Sequence, residues 1–177
     1  MSAASILRFL GFSRSDSGLD RQLVKAMKVQ QVRRIVEIGV HDGERAEQLL
    51  ELAKRFHDVE SIRYTGIDMF EARVEDATPL KEVHSRLSAT GATIRLVPGD
   101  AASALPRCAN DLRGTDWVLI SPDQDEAAID RAWHFLPRML HQKSEVWMES
   151  QPGEFQILSA RDVSDQMALR GKRRRAA

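Results

Sequence analysis

Small and acidic residues follow the apolar stretches of this sequence at four places. They are Gly39 to Gly43, Asp68, Asp100, and Ser121 to Asp125. Carboxylates offer hydrogen-bond acceptors, and glycines let the backbone come close to a bound molecule. Right-handed crossovers place the carboxyl ends of parallel strands at one edge of a sheet, where open α/β sheets bind their ligands. We therefore expect the four places to form one ligand site.

The segment 34–56 supplies the first strand, turn and helix of this arrangement. Residues 34–38 are largely apolar and β-branched, which suits a buried strand, and Gly39 and Gly43 bracket a tight turn. The helix predicted over Glu44 to Phe56 has one apolar face, formed by Ala46, Leu49, Leu50, Ala53 and Phe56. A strand, turn and helix of this kind is typical of the phosphate- or nucleoside-binding end of an α/β sheet. A side chain at Gly39 would obstruct the approach of the backbone to the ligand.

Strands and helices alternate along the rest of the chain. Further strands are predicted over 62–68, 92–97, 116–121 and 145–149, with a short edge strand at 155–158. The alternation predicts a Rossmann-like α/β fold, an open and mainly parallel sheet of five or six strands with helices on both faces. We assign residues 1–31 to an N-terminal helical arm, 32–160 to the sheet domain, and 161–177 to a C-terminal helix and basic tail.

Local signals set the expected helix ends. Thr78 is the predicted N-cap of a helix that has Pro79 at its first position. Pro106 is expected to cut short the helix that begins at Ala101, and Pro137 to kink or end the helix before it. The last predicted helix covers 162–170, and the basic residues after it are expected to fray.

The composition excludes several classes of protein. Lys plus Arg and Asp plus Glu number 26 each, so the chain has no overall electrostatic bias toward nucleic acid or membrane. The single cysteine, Cys108, rules out an internal disulfide and a multi-cysteine metal site. No run reaches the roughly 18 apolar residues of a membrane span. We expect a cytoplasmic protein with no membrane partner and no nucleic acid.

The glycine pattern argues against two common nucleotide sites and resembles a third. The fingerprint G-x-G-x-x-G is not present, because His41 stands where the middle glycine would be, and G-x-x-x-x-G-K-[ST] is also missing. The stretch Val36 to Gly43 resembles motif I of class I S-adenosylmethionine-dependent methyltransferases, in the E-I-G-x-x-x-G form of small-molecule O-methyltransferases. Ile67-Asp68, Gly99-Asp100-Ala101 and 116–120 resemble that family's later strand-end motifs in the same order.

The resemblance implies an S-adenosylmethionine site, methyl transfer from that cofactor to a small, hydroxylated molecule, and a role for each motif. Gly39 would let the backbone approach the amino-acid portion of the cofactor, and Glu37 would accept a hydrogen bond from its ammonium group. Asp68 would take both ribose hydroxyls, because a carboxylate offers two acceptor oxygens. Asp100 would accept from the adenine amino group, with the Ala101 N–H at a ring nitrogen. The implied cofactor-binding set is Glu37, Gly39, Val40, His41, Gly43, Asp68, Met69, Asp100, Ala101 and Ser121.

Simpler interpretations of these residues stay open at this stage. In these interpretations, Glu37 caps a backbone turn and Asp68 is a solvated loop acid. Asp100 is the N-cap of the helix that follows, a role that is compatible with ligand contact. His41 is either an exposed turn residue or a catalytic base. His84 and His134 are interpreted as surface or packing residues.

The chain departs from the metal-dependent members of the family that it resembles. Ser121 stands where the first metal-binding acid would be, no lysine follows, and only Asp123 and Glu149 remain as oxygen ligands. We therefore expect no metal site. The base for a hydroxylated acceptor is left open among Asp123, His41 and the substrate.

The C-terminal region is short for this family, because only 153–160 remains to wall an acceptor pocket. Three interpretations are open. The protein is a minimal enzyme, a homodimer that completes its pocket from a second copy, or a non-catalytic ligand-binding or scaffold domain of the same fold. The basic tail 170–175 is interpreted as a solvated end rather than an RNA contact.

Overall fold

One six-stranded sheet, in the order β3-β2-β1-β4-β5-β6, organises the chain. The computed structural model describes residues 20–73 and 77–176, and most of the N-terminal arm predicted over 1–31 lies outside them. The strands are β1 (Arg34–Ile38), β2 (Arg63–Asp68), β3 (Thr93–Pro98), β4 (Thr115–Ile120), β5 (Leu140–Gln151) and β6 (Glu154–Ser159). Strands β1 to β5 pair in parallel, and β6 pairs antiparallel with β5. The predicted Rossmann-like sheet is confirmed.

Helices cover both faces of the sheet and create two cores. They are α1 (Arg21–Val29), α2 (Glu44–Ala53), α3 (Leu80–Ser88), α4 (Ala101–Cys108), α5 (Glu126–Ala132), α6 (Leu136–Met139) and α7 (Ala160–Ala176), with short 3-10 turns at Val59–Ser61, Phe70–Ala72 and Trp133–Phe135. Ile35 and Trp117 pack with α1 to α3, whereas Val36 and Val118 pack with α4 to α7. Successive strand residues point to opposite faces, so β1 and β4 supply both cores.

Several helix ends differ from their predicted positions. Helix α2 ends at Ala53, and Phe56 is 44% exposed rather than buried. Helix α3 begins at Leu80, so Pro79 takes the N-cap position and Thr78 does not cap it. The prediction that Pro106 cuts α4 short was wrong: the helix continues through it to Cys108. The buried faces of Leu105 and Cys108 against the sheet hold this last turn in place.

The C-terminal part is more regular than the sequence predicted. Strand β5 covers Leu140–Gln151, and Pro137 lies at the start of the short helix α6 just before it. Helix α7 continues to Ala176, where a frayed end was expected. The region after β5 adds the single antiparallel strand β6 at the sheet edge. Within the described residues, no helix has the length and apolar character needed to cross a bilayer.

Candidate functional site

Backbone hydrogen bonds join the carboxyl ends of the central strands into one rim. The Gly39 N–H donates to the Ile67 carbonyl at 2.9 Å, and the Gly99 N–H donates to the Asp68 carbonyl at 2.8 Å. On the other side, the Ser121 N–H donates to the Ile38 carbonyl at 2.9 Å. The four places singled out in the sequence therefore lie along a single edge of the sheet.

The turn after β1 is left-handed at each of its key positions. Gly39 and Gly43 have φ of 91° and 81°, and His41 between them has φ of 57°. A Cβ atom on Gly39 would lie 2.6 Å from both the Ser121 Cβ and the Gln124 Nε2. The glycine is thus required by a close approach to the chain's own residues after β4, a constraint that the sequence analysis attributed to a ligand.

The acid of the first motif, Glu37, is fully buried and accepts hydrogen bonds from two side chains. Its Oε1 accepts from Arg45 Nε at 2.6 Å, and its Oε2 accepts from the Tyr64 hydroxyl at 2.5 Å. The interpretation of Glu37 as a turn cap was therefore wrong. The cationic partner that the sequence analysis assigned to an ammonium group is here the guanidinium of Arg45.

Arg45 extends this contact across three strands. Its Nη1 donates to Glu149 Oε2 at 2.6 Å, at the end of β5, and its Nη2 donates to Ser121 Oγ at 2.7 Å, just after β4. The Ser121 hydroxyl in turn donates to the Gly39 carbonyl at 2.9 Å. Burial opposes the charged form of Arg45, but the carboxylates of Glu37 and Glu149 outweigh burial and raise its pKa.

The acid of the second motif, Asp68, is only 3% exposed and has partners of two kinds. Its Oδ2 accepts from the His41 backbone N–H at 2.9 Å, and its Oδ1 accepts from the Phe70 backbone N–H at 3.2 Å. Arg73 Nη1 donates to both oxygens, at 3.0 and 2.9 Å. Asp68 is therefore a buried, paired carboxylate rather than a solvated loop acid.

Arg73 also reaches across the rim to Asp123, which follows β4, through its Nη2. The other oxygen of Asp123 lies 3.2 Å from His41 Nε2. Burial disfavours the charged form of Asp123, but hydrogen bonds from Gln124 and Arg73 outweigh burial and lower its pKa. These contacts span the point between β1 and β4 where the strand order reverses, which is where open α/β sheets bind ligands.

The remaining residues of the implied set differ in their exposure. Asp100 Oδ1 accepts from the Ser103 N–H at 2.7 Å, so Asp100 is the N-cap of α4, and hydrogen bonds from Ser103 lower its pKa. Val40 and Ala101 are buried, whereas Met69 is exposed beside Asp68. His41 is partly exposed in its turn, in agreement with the simpler interpretation.

No metal-binding geometry is found in the part of the chain that the structure describes. Within it, no group of three or more His, Cys, Asp or Glu side chains is arranged so that it could hold a metal ion. Asp123 and Glu149, the acids considered as oxygen ligands, each accept from an arginine instead. His84 and His134 are surface residues; His134 stacks on Phe135 with ring centroids 3.9 Å apart.

Sequence reasoning missed Arg45 and Arg73, which contact the two buried acids. A weak signal was available for each. Arg45 is the second residue of the helix that follows Glu37 and the glycine turn. Arg73 comes five residues after Asp68. An arginine that close to a buried strand-end acid is a candidate counter-ion, although its spacing alone does not distinguish it from a surface residue.

No family model and no curated protein matches the sequence, whereas solved structures match the fold. The calicheamicin methyltransferase CalS11 superposes with a TM-score of 0.59 at 18% identity, covering 86% of this chain and 69% of that one. The O-methyltransferase TomG from Streptomyces achromogenes, in complex with S-adenosylmethionine, gives 0.54 at 17% identity, covering 84% and 65%. The S-adenosylhomocysteine-bound methyltransferase PaMTH1 from Podospora anserina gives 0.52 at 14% identity, covering 72% and 50%.

These likenesses show that the chain shares the Rossmann-like α/β fold of these methyltransferases, the fold that the motif resemblance implied. The chain spans less than two thirds of the length of TomG and half of that of PaMTH1.

Proposed function

We propose that this chain binds S-adenosylmethionine at the rim and transfers its methyl group to a small, hydroxylated molecule. The observation that carries the proposal is Asp68, a buried carboxylate at the end of β2 that two backbone N–H groups orient. Both of its oxygens also accept from a side chain, that of Arg73. A carboxylate held this way suits the two hydroxyls of a ribose. The methyltransferase fold supports the same conclusion.

The chain's own residues would bind and orient the donor. Asp68 would accept from the ribose hydroxyls. The half-buried Asp100, with one oxygen committed to the α4 cap, would accept from the adenine amino group, with the N–H of Ala101 at the ring. Glu37 would act on the ligand only through Arg45, since both of its oxygens already have donors.

S-adenosylmethionine, when bound, supplies an activated methyl group on a sulfonium. Positioning of donor and acceptor by the rim would then supply much of the rate acceleration. His41 and Asp123, with 3.2 Å between Nε2 and Oδ1, are the chain's own groups available to take the proton of an acceptor hydroxyl. A substrate whose hydroxyl is already ionised needs neither group, which is the third alternative left open from the sequence.

Calorimetry with S-adenosylmethionine and S-adenosylhomocysteine tests the proposal. We expect the wild type to bind both, and Asp68→Asn to bind about 10- to 100-fold more weakly, because hydrogen bonds to a charged group contribute about 1.5–3 kcal/mol. Asp111→Asn is the matched control, since Asp111 is an exposed acid before β4 that pairs with Arg95. It should leave the affinity unchanged.

Turnover with a panel of hydroxylated acceptors, followed by the release of S-adenosylhomocysteine, tests the second half of the proposal. No detectable binding of either compound at millimolar concentration would overturn the donor assignment. Binding without transfer to any acceptor would favour the non-catalytic ligand-binding domain instead.

A further inference from the structure

The partners of Asp68 divide into a fixed and an exchangeable set. The backbone N–H groups of His41 and Phe70 belong to the turn after β1 and to the 3-10 turn after β2, so their positions are set by the backbone and not by a side-chain rotamer. Arg73 contributes the rest through a single nitrogen that donates to both oxygens. Of these partners, the Arg73 guanidinium is the one that a change of side-chain rotamer alone would withdraw from Asp68.

The segment that carries Arg73 is anchored at its base. Phe70, which begins the 3-10 turn, is buried, and its φ of 50° is uncommon for a residue other than glycine. The Arg73 N–H donates to the Phe70 carbonyl at 3.1 Å and closes the turn. The backbone is thus held while the Arg73 side chain, 17% exposed, reaches over the rim.

We propose that Arg73 is an internal substitute for the vicinal diol of a nucleoside ligand, a strap that closes the crevice when the ligand is absent. Joined to Asp68 on one side and to Asp123 on the other, Arg73 crosses the space between the ends of β2 and β4. The inference rests on the proposed function, because it assigns the regulation of that same site.

An exchange of this kind follows from the cost of burying charge. A carboxylate as buried as Asp68 is costly to leave without a partner, so the unliganded rim needs a counter-ion. Two ribose hydroxyls would replace the Arg73 hydrogen bonds, while the backbone donors keep the carboxylate oriented. Asp123 would keep the released guanidinium nearby, since it already accepts from Arg73.

Arg73→Gln tests the strap, with S-adenosylhomocysteine as the probe in calorimetry and thermal denaturation. If the open crevice is populated at about 10% in the wild type, removal of the strap should tighten binding about tenfold. Without ligand, the variant should melt at a lower temperature, because Asp68 has lost its counter-ion. The stabilisation on adding ligand should be larger than in the wild type.

The matched control is Arg86→Gln. Arg86 lies near the turn after β1. It approaches Asp42 at 3.8 Å and Glu47 at 3.9 Å, and both of these acids are exposed. This variant should bind the probe as the wild type does.

Two nucleosides locate the effect on the diol. Adenosine should gain affinity in Arg73→Gln, and 2′,3′-dideoxyadenosine should gain clearly less, because it presents no hydroxyls to Asp68. Equal gains for both nucleosides would overturn the exchange of Arg73 for the diol.

The remaining outcomes separate the two proposals. Wild-type binding together with unchanged or weaker binding by Arg73→Gln would overturn the strap and leave the proposed function standing. Failure of both proteins to bind any of the probes would overturn the proposed function and the strap with it. Binding by Arg73→Gln alone would support both.

Discussion

Two buried carboxylates on neighbouring strands are each paired with an arginine, but in different ways. Among the described residues, Glu37 on β1 accepts from two side chains, Arg45 and Tyr64, and its arginine also donates to residues at two further strand ends. Asp68 on β2 accepts from two backbone N–H groups, and its arginine, Arg73, has one further acceptor across the rim. The first acid depends on its arginine for orientation, whereas the second does not.

This difference indicates different roles for the Glu37–Arg45 and Asp68–Arg73 pairs. Removal of Arg45 would break the side-chain contacts that connect Glu37 with the ends of β4 and β5, and it would leave the buried Glu37 without its cation. Removal of Arg73 leaves Asp68 oriented and opens its acceptor positions. We therefore regard the Glu37–Arg45 pair as structural and the Asp68–Arg73 pair as the one that exchanges with a ligand.

Among the variants, Arg45→Met should lower the free energy of unfolding most. A small effect would contradict the difference drawn between the two pairs. Loss of one partner from a buried ion pair costs about 3–5 kcal/mol, because the other charge stays buried without compensation. Here two acids, Glu37 and Glu149, lose the same cation. Urea denaturation of the variant and the wild type measures the difference in the free energy of unfolding.

The double variant Glu37→Gln with Arg45→Met is the control for this prediction. It removes the stranded charge together with the cation, so it should recover part of the lost stability. A stability loss in Arg45→Met no larger than that in Arg73→Gln would mean that the two pairs are equivalent.

Tyr64→Phe sharpens the comparison at a second partner of Glu37. The Tyr64 hydroxyl is fully buried, and burial and the neighbouring Glu37 raise its pKa, so it stays protonated and donates. Its loss should cost about 1.5–3 kcal/mol, the usual contribution of a hydrogen bond to a charged group. Thermal denaturation measures the change.

The same substitution in a Glu37→Gln background should cost less, since the acceptor is then neutral. An equal cost in both backgrounds would assign the effect of Tyr64→Phe to packing rather than to the carboxylate.

The comparison also shows what sequence reasoning can and cannot reach. Alternating strands and helices place Gly39, Asp68 and Ser121 at one rim, because parallel strands share an edge whatever their side chains do. The arginines are different. Arg45 reaches Glu149 across 104 positions of sequence, so the contact depends on how β1 and β5 are spaced in the folded sheet.

The continuation of α4 past Pro106 was not predicted, for a related reason. The local signal of proline predicts an end, whereas burial of Leu105 and Cys108, a tertiary effect, continues the helix. Local rules placed the carboxyl ends of β1 to β4 to within about one residue, whereas β5 extends beyond its predicted range 145–149 at both ends. Contacts between distant elements decided the partners and the helix length.

Asp100 provides the smallest test, because the hydrogen bond to this third rim acid comes from a local partner, Ser103. As the N-cap of α4 it should contribute about 1 kcal/mol to stability, which Asp100→Ala would remove. Hydrogen bonds from Ser103 hold its pKa below the ordinary value. A carboxyl group whose pKa is lower in the folded state stabilises the fold above its unfolded pKa, and this contribution disappears as the pH falls through the folded pKa.

The stability difference between wild type and Asp100→Ala should therefore be full at neutral pH and shrink below about pH 4, the ordinary range for an aspartate. Urea denaturation at neutral and acidic pH measures it, with Asp111→Ala as an exposed-acid control. A difference that stayed constant down to the acid limit would show that Asp100 caps the helix through shape and hydrogen bonding alone. Asp100 would then differ from both buried acids, whose partners act on charge, and the rim would carry only two electrostatically important carboxylates.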